Sequence, residues 1–336
     1  MGMSENPTPS SVRRSPLLLL AAGALVIALG GALWLHRSAG DIPPPSEQVL
    51  KVGNQLGSAH ALMEAAGVLK DTPYRIEWSL FPAASPLLEA LNARAIDIGG
   101  VGDAPFAFAY AGGSQIKAVQ AYRYNNAGRA SAILVPAGSP IRTVQDLKGR
   151  TIATVRGSAG QDLVLRVLEH NGLKPTDVKF VFLANGDAKA ALASGDVDAW
   201  STWSNYVGVA LLHDHDRAVA DATGLKQGFG FQAATDAAIA SKHALIEDFL
   251  RRLNLAYRWA DAHPQAHAAV VAKETGIPLD VARFVGQAVY QPVPINAQTV
   301  IDERETLERY QRAGVISQVP DLSQAFDPSF NDAARP

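Results

Sequence analysis

Two short runs, Gly57-Ser58-Ala59 and Gly157-Ser158-Ala159, stand about one hundred residues apart, each where a strand-like apolar segment gives way to a helical pattern. The first N–H groups of a helix have no intrahelical acceptor, and the helix dipole adds positive potential there. Such an end binds an anion without any lysine or arginine, and the hydroxyls of Ser58 and Ser158 would add donors. The plainer reading is that each serine caps its own helix. A symmetric pair at strand ends favours the ligand, because open α/β sheets bind their ligands there. Gly102-Asp103-Ala104-Pro105 follows a third such strand. Asp103 reads as a helix cap, leaving the N–H groups beyond it, from Ala104 on, to face a ligand. Trp200, Trp203 and Tyr206 are separated by Ser201, Thr202, Ser204 and Asn205. That composition places the aromatics on a loop at a strand end, where Trp200 and Trp203 would wall a pocket.

Other reactive side chains assemble into nothing comparable. His213-Asp214-His215-Asp216 carries metal-capable groups at alternate positions, but no further ligand closes a site, so it reads as an exposed polar loop. His263 and His267, with Pro264 between them at a helix end, read as a chance pair. His60 falls in the first turn after the first Gly-Ser-Ala run and faces either the cleft or the surface. Arg156 adjoins the second run and reads as solvent-facing, with added positive potential as the alternative. Arg123, Tyr124 and Arg129 have no direction legible in the sequence. No nucleophile–base pair or paired-carboxylate arrangement arises from the spacing. The 336 residues contain no cysteine, which rules out disulfides, thiolate metal ligands, a cysteine nucleophile and a lipid-modified N-terminal cysteine. No catalytic residue, metal or cofactor is expected. A formal net charge of −2, with no basic block after the N-terminus, argues against a nucleic-acid partner.

Two matching loops need two matching sheets to carry them, and the chain has the alternation for it. Val49–Asn54 reads as a buried strand, followed by a helix from Ser58 to about Lys70. The polar–apolar alternation of Arg75–Leu80 is strand period. Ser85-Pro86 opens a short helix with Ser85 as cap, and Ile96–Gly99 is the next strand. A second series follows the strand Ser131–Val135. Thr143 and Asp146 have capping-box spacing, Thr151–Val155 is a strand and Asp162–His170 a helix. Phe180–Leu183, Ala188–Ala193 and Val197–Trp200 read as strand, helix and strand, and the chain turns helical from Ser241. Leu91…Ile96-Asp97-Ile98 is echoed by Leu192…Val197-Asp198-Ala199, again about one hundred residues on. Two echoes in register predict two similar α/β lobes with parallel-rich sheets and helices on both faces. At the N-terminus, Arg13 and Arg14 precede an uncharged apolar run, Leu17–Leu35, and then Asp41-Ile42-Pro43-Pro44-Pro45. This is an export segment and a stiff linker over residues 1–45, either cleaved or kept as a membrane anchor.

Taken together, Leu50–Gln55, Phe81-Pro82-Ala83, Leu87–Leu91, Ile96–Gly99, Gly102–Pro105, Asp146–Gly149, Arg156-Gly157-Ser158 and Gly195–Trp200 resemble the aliphatic sulfonate-binding proteins of ABC importers. The resemblance covers roughly residues 48–330. It implies a type II periplasmic-binding-protein fold, with two lobes joined by two crossing strands and a ligand closed between them. The implied division is 46–133 plus 233–336 for one lobe and 134–232 for the other. It carries sulfonate contacts onto Gln55, Gly57, Asp103, Ala104, Ser158 and Ala159, and a wall aromatic onto Trp200. Trp203-Ser204-Asn205-Tyr206 and Ala159 depart from the family's usual Trp-Asp-Pro-Tyr and second Ser or Thr. The implied partners are a small anionic ligand, a sulfonate above all, and a membrane permease with its ATPase. The protein would act as a periplasmic monomer. Taurine, nitrate, aromatic-sulfonate and vitamin-precursor binders share this frame, and so do enzymes resembling those of the menaquinone pathway. An enzyme fits the export segment poorly, and a membrane-anchored sensor would need an output module.

Overall fold

A computed structural model describes residues 48–55, 58–125, 129–226, 228–286 and 289–334. Val49–Pro336 forms one compact unit; the export segment and Gly57 lie outside the described residues. Within the unit are two mixed sheets. The first has the order β2 (Arg75–Phe81), β1 (Val49–Gln55), β3 (Ile98–Gly102), β10 (Phe229–Thr235), β4 (Ile116–Asn125) and β11 (Val289–Val293). The second runs β7 (Lys179–Phe182), β6 (Thr151–Thr154), β8 (Ala199–Trp203), β5 (Ser131–Val135) and β9 (Arg217–Asp221). In each, three parallel strands are followed by a fourth that runs against them and a fifth that is antiparallel to the fourth.

The sequence echo is an echo of hydrogen bonds. Val52 pairs with Ile98 in the first sheet, and Ile152 with Ala199 in the second. Asp97 Oδ2 accepts the Lys51 N–H at 2.7 Å, and Asp198 Oδ2 accepts that of Thr151 at 2.8 Å. An aspartate in this place ties the start of one parallel strand to the start of its neighbour, through a charge-assisted bond to a backbone donor. The chain passes from the first sheet to the second between Asn125 and Ser131 and returns between Asp221 and Phe229. All of β10 belongs to the first sheet, so the return comes before Phe229, earlier than the expected boundary at 233.

The helices that flank these strands are α1 (Ser58–Ala65), α2 (Ala84–Asn92), α3 (Asp103–Ala111), α4 (Ala159–His170), α5 (Asn185–Ser194) and α6 (Asn205–Leu212). Then come α7 (Asp236–Ala262), α8 (Pro264–Thr275), α9 (Leu279–Val285) and α10 (Ala297–Arg312). Helix α1 ends five residues short of expectation, because a turn with Gly67 at φ 69° follows Ala65. Helix α2 starts at Ala84, so Ser85 lies inside it, and Ala83 stands at the cap position without a side-chain bond. The Thr143–Asp146 capping box is present and opens a 3₁₀ turn, Val144–Leu147.

Each sheet buries both faces. In the first lobe, Leu87, Leu91, Ile96, Phe106 and Phe231 fill one side, and Leu50, Met63, Ile98, Phe249 and Leu253 the other. The second lobe has Ile133, Leu147, Ile152, Val164 and Leu168 on one side and Leu134, Leu192, Trp200 and Val207 on the other. The run of apolar residues in β5 follows from this two-sided burial.

Candidate functional site

The second Gly-Ser-Ala run turns β6 into α4. Gly157 has φ 65°, in the left-handed region, which costs a glycine little. A Cβ there would stand 2.5 Å from the ring of Phe108 on α3. Ser158 is the N-cap of α4: its Oγ accepts the Gln161 N–H at 3.3 Å and donates to the Val155 carbonyl at 2.6 Å. The Gly157 N–H donates to Gln161 Oε1 at 2.7 Å. The expected hydroxyl donor is therefore spent: a serine has one hydroxyl proton, and Val155 takes it. What the loop retains for an anion is the helix start at Ala159, where N–H groups lack intrahelical acceptors. Ala159 is half-buried, whereas Ser158 and Gly160 are buried. Gly160 permits the close packing here, because a Cβ on it would stand 2.6 Å from the Ser201 carbonyl and from Thr154 Oγ1.

Strand β8 runs on through Ser201 and Thr202 to Trp203, longer than its polar composition had led us to expect. Strand period then decides the directions. Ser201 Oγ donates to the Gly160 carbonyl at 2.7 Å, so Ser201 and Trp203 share the face that meets the start of α4. Trp200 and Thr202 point the other way, Thr202 Oγ1 donating to Asn185 Oδ1 at 3.0 Å. Trp200 is 0% exposed among Ala132, Leu134, Leu192 and Val207, with its indole N–H unpaired. It is a core residue, not a wall, whereas Trp203 is half-buried at the strand end. Tyr206 packs edge-on to Trp200 at 6.1 Å.

In the first lobe, Gln55 Nε2 donates to the Gly100 carbonyl at 2.7 Å. Ser58 begins α1, and Asn54 Oδ1 accepts the Ala59 N–H at 3.1 Å. This cap from an asparagine four residues before the helix had no signal in the sequence. Asp103 Oδ1 accepts the Ala104 N–H at 2.7 Å, and Oδ2 accepts the Phe229 N–H at 3.0 Å. Ala104 is fully buried beside Leu165 and Tyr310. Its N–H is thus closed to a ligand, contrary to expectation, and Asp103 joins a helix start to a crossing strand.

Polar residues absent from the sequence reading form a row across the same sheet. Gln120 faces Gln232, and Gln232 faces Gly100. Tyr122 and Tyr124 stand beyond Gln120 on β4, packed with Tyr257 and Tyr290. The set-aside residues have local partners. His60 packs at a tilt against Trp78, with ring centroids 4.8 Å apart, and pairs with Glu64. Arg156 lies over the Phe182 ring at 3.9 Å. Arg123 lies over Phe229 and pairs with Asp302. His213 pairs with Asp280, Asp214 with Lys189, and burial lowers the pKa of His267. No group of three or more metal-capable side chains is assembled among the described residues.

Two sheets built to one plan, with helix starts gathered at the ends of their parallel strands, make the two-lobed periplasmic-binding-protein fold. The chain belongs to the NMT1/THI5-like family, which matches residues 83–267, and to the aliphatic sulfonate-binding proteins within it. It is 33% identical over 284 residues to an aliphatic sulfonates-binding protein of Escherichia coli (strain K12), covering 83% of this chain and 88% of that one. The crystal structure of the periplasmic aliphatic sulphonate binding protein SsuA from Escherichia coli superposes with a TM-score of 0.75 at 32% identity, covering 84% of this chain and 94% of that one. The alkanesulfonate-binding protein SsuA from Xanthomonas axonopodis pv. citri, bound to MOPS, gives 0.77 at 30%, covering 84% and 99%. These relatives are binding proteins rather than enzymes.

Proposed function

We propose that this chain captures a small alkanesulfonate between its two lobes and delivers it to the permease and ATPase of an ABC importer. The observation that carries the ligand chemistry is the start of α4. Its main-chain N–H groups follow a glycine turn, and acidic residues are absent from the helix until Asp162. In this reading the sulfonate head rests on the amides after Gly157, around Ala159, across from Gln55 of the other lobe. Trp203 walls the organic tail. Nothing in the arrangement places a nucleophile or a base on the ligand, which fits binding and release without chemistry.

Calorimetry of the purified protein with alkanesulfonates, taurine, nitrate and simple carboxylates tests this. Micromolar or tighter binding of a sulfonate is expected. Tight nitrate or carboxylate binding without sulfonate binding would overturn the ligand and leave the fold standing. The export segment over 17–35 leaves the protein either free in the periplasm or anchored, and mass spectrometry of its mature N-terminus separates the two. A monomer in light scattering is the expected assembly.

A further inference from the structure

Beside the start of α4, the lobes meet along a seam of three helices. Asp103 opens α3 in the first lobe, Asp162 lies in the first turn of α4 in the second, and Glu303 sits in the first half of α10. The three carboxylates line one cavity of about 30 Å³, room for little more than a water molecule. Arg166 of α4, Lys226 of the crossing segment, and Asp302, Glu305 and Arg309 of α10 line it too. Tyr310 of α10 is buried beside it, its hydroxyl donating to the Ser158 carbonyl at 3.5 Å.

The cations are already engaged. Arg309 bonds Asp162 at 2.8 Å, and Arg166 approaches Asp162 at 3.7 Å. Lys226 bonds Asp302 at 2.9 Å and Glu305 at 2.8 Å, and Arg123 of β4 adds a bond to Asp302 at 3.2 Å. Among the described residues no cation pairs with Asp103 or Glu303. Glu303 is 1% exposed, and its Oε1 has no hydrogen-bond partner. A buried, unpaired carboxylate beside two others is strongly disfavoured while charged. Burial and repulsion by Asp103, Asp162 and Asp302 push the Glu303 carboxyl well above its usual range. Burial and repulsion by Asp162 push Asp103 up to about 6.

We propose that the seam is a proton-binding site: a proton from solvent settles on Glu303 as the lobes come together, so that ligand capture is tied to proton uptake. Asp162 belongs to the opposite lobe, so opening removes one of the repelling charges and admits water to the other two. The proton is then released. A carboxyl whose pKa is raised in the closed, folded form stabilises that form at low pH and loses the contribution as pH rises. Closure is therefore favoured toward pH 5 and weakened toward pH 8.

The test has two arms, and only the second rests on the sulfonate reading. First, solution scattering of the ligand-free protein is recorded from pH 5 to 8. The radius of gyration should rise across this range as closure weakens, and rise less in Glu303→Gln, which keeps the shape and removes the titration. Equal slopes in the two proteins would overturn the proposal. Second, propanesulfonate binding is measured by calorimetry in buffers of different ionisation enthalpy. Up to one proton should be taken up per ligand, loosening Kd by as much as tenfold per pH unit, and Glu303→Gln should reduce both effects. Binding without buffer-dependent heat would also overturn it. If propanesulfonate does not bind at any pH, the ligand reading fails, and the scattering series still decides whether the seam holds a proton.

Discussion

Ser158 shows how much a single proton decides. As a free donor the hydroxyl would contact the anion, and Ser158→Ala would loosen binding at least tenfold. With its proton on the Val155 carbonyl, the serine is a cap, and the ligand is left with main-chain amides. Ser158→Ala should then cost about 1 kcal/mol of stability and change Kd by less than about threefold, the equivalent of well under a strong hydrogen bond. Ser158→Asp keeps an acceptor for the Gln161 N–H but sets a carboxylate at the proposed anion position. It should melt near wild type and lose at least tenfold in affinity, about 1.4 kcal/mol. Wild-type affinity in that variant would sink the anion assignment for this loop. The two tryptophans separate in the same way. Trp200→Ala opens a cavity in the second lobe and should cost about 3–5 kcal/mol. Trp203→Ala should spare the melting temperature and weaken ligand binding; if binding is unchanged, the wall lies elsewhere.

At the scale of elements, the informative residues are the paired aspartates. Asp97 and Asp198 do one job in two lobes, each accepting a backbone N–H at the start of the neighbouring strand. Their surroundings differ. Lys242 reaches Asp97 at 2.6 Å, with both side chains mostly buried, whereas Arg150 meets Asp198 at 3.4 Å in a more exposed place. Asp97→Ala strips an acceptor from Lys51 and leaves the Lys242 ammonium without its partner, so we expect a loss of about 2–3 kcal/mol. For Asp198→Ala, about 1 kcal/mol is expected, since exposed pairs contribute little. Denaturant titration of both variants measures this, and an equal or reversed order would refute it. The echo Ile96-Asp97-Ile98 and Val197-Asp198-Ala199 made the repeat visible in the sequence because this bond requires an acidic side chain at that register. The extra length of β8 was not visible. Ser201 and Thr202 look like loop residues until their hydroxyls are seen bonded to the Gly160 carbonyl and to Asn185.

For the whole molecule, the seam limits how the lobes can move. Phe108 packs against the bare Gly157, Tyr310 reaches the Ser158 carbonyl, and Arg309 grips Asp162 with both groups largely buried. Opening about the crossing segments must break these contacts or pivot on them. Removing one partner of a buried pair exposes the other to an uncompensated environment, at about 3–5 kcal/mol. Arg166 remains near Asp162, so Arg309→Ala is expected at about 3 kcal/mol. It should also widen the ligand-free conformational distribution, read as a larger radius of gyration in solution scattering. Saturating ligand should contract the wild-type protein; identical scattering with and without ligand would count against closure.

The division between what the chain announces and what the fold decides follows from range. Strand and helix alternation, the export pattern, the absence of thiol chemistry and the doubling of the lobes are all local, set by periodicity and by motifs a few residues long. Gly157 stands out in the sequence only as part of the Gly-Ser-Ala echo, and its left-handed turn is seen in the backbone. What the sequence by itself could not determine are the partners of donors and charges. Trp200 is a core residue because β8 continues and alternation turns it inward. Ala104 is closed because Asp103 bends back onto it. Glu303 is unremarkable in a charged helix, and becomes a buried, unpaired carboxylate only when α10 meets helices from both lobes. Hydrogen-bond saturation and burial depend on which residues the fold brings together, and at Glu303 those come from distant parts of the chain.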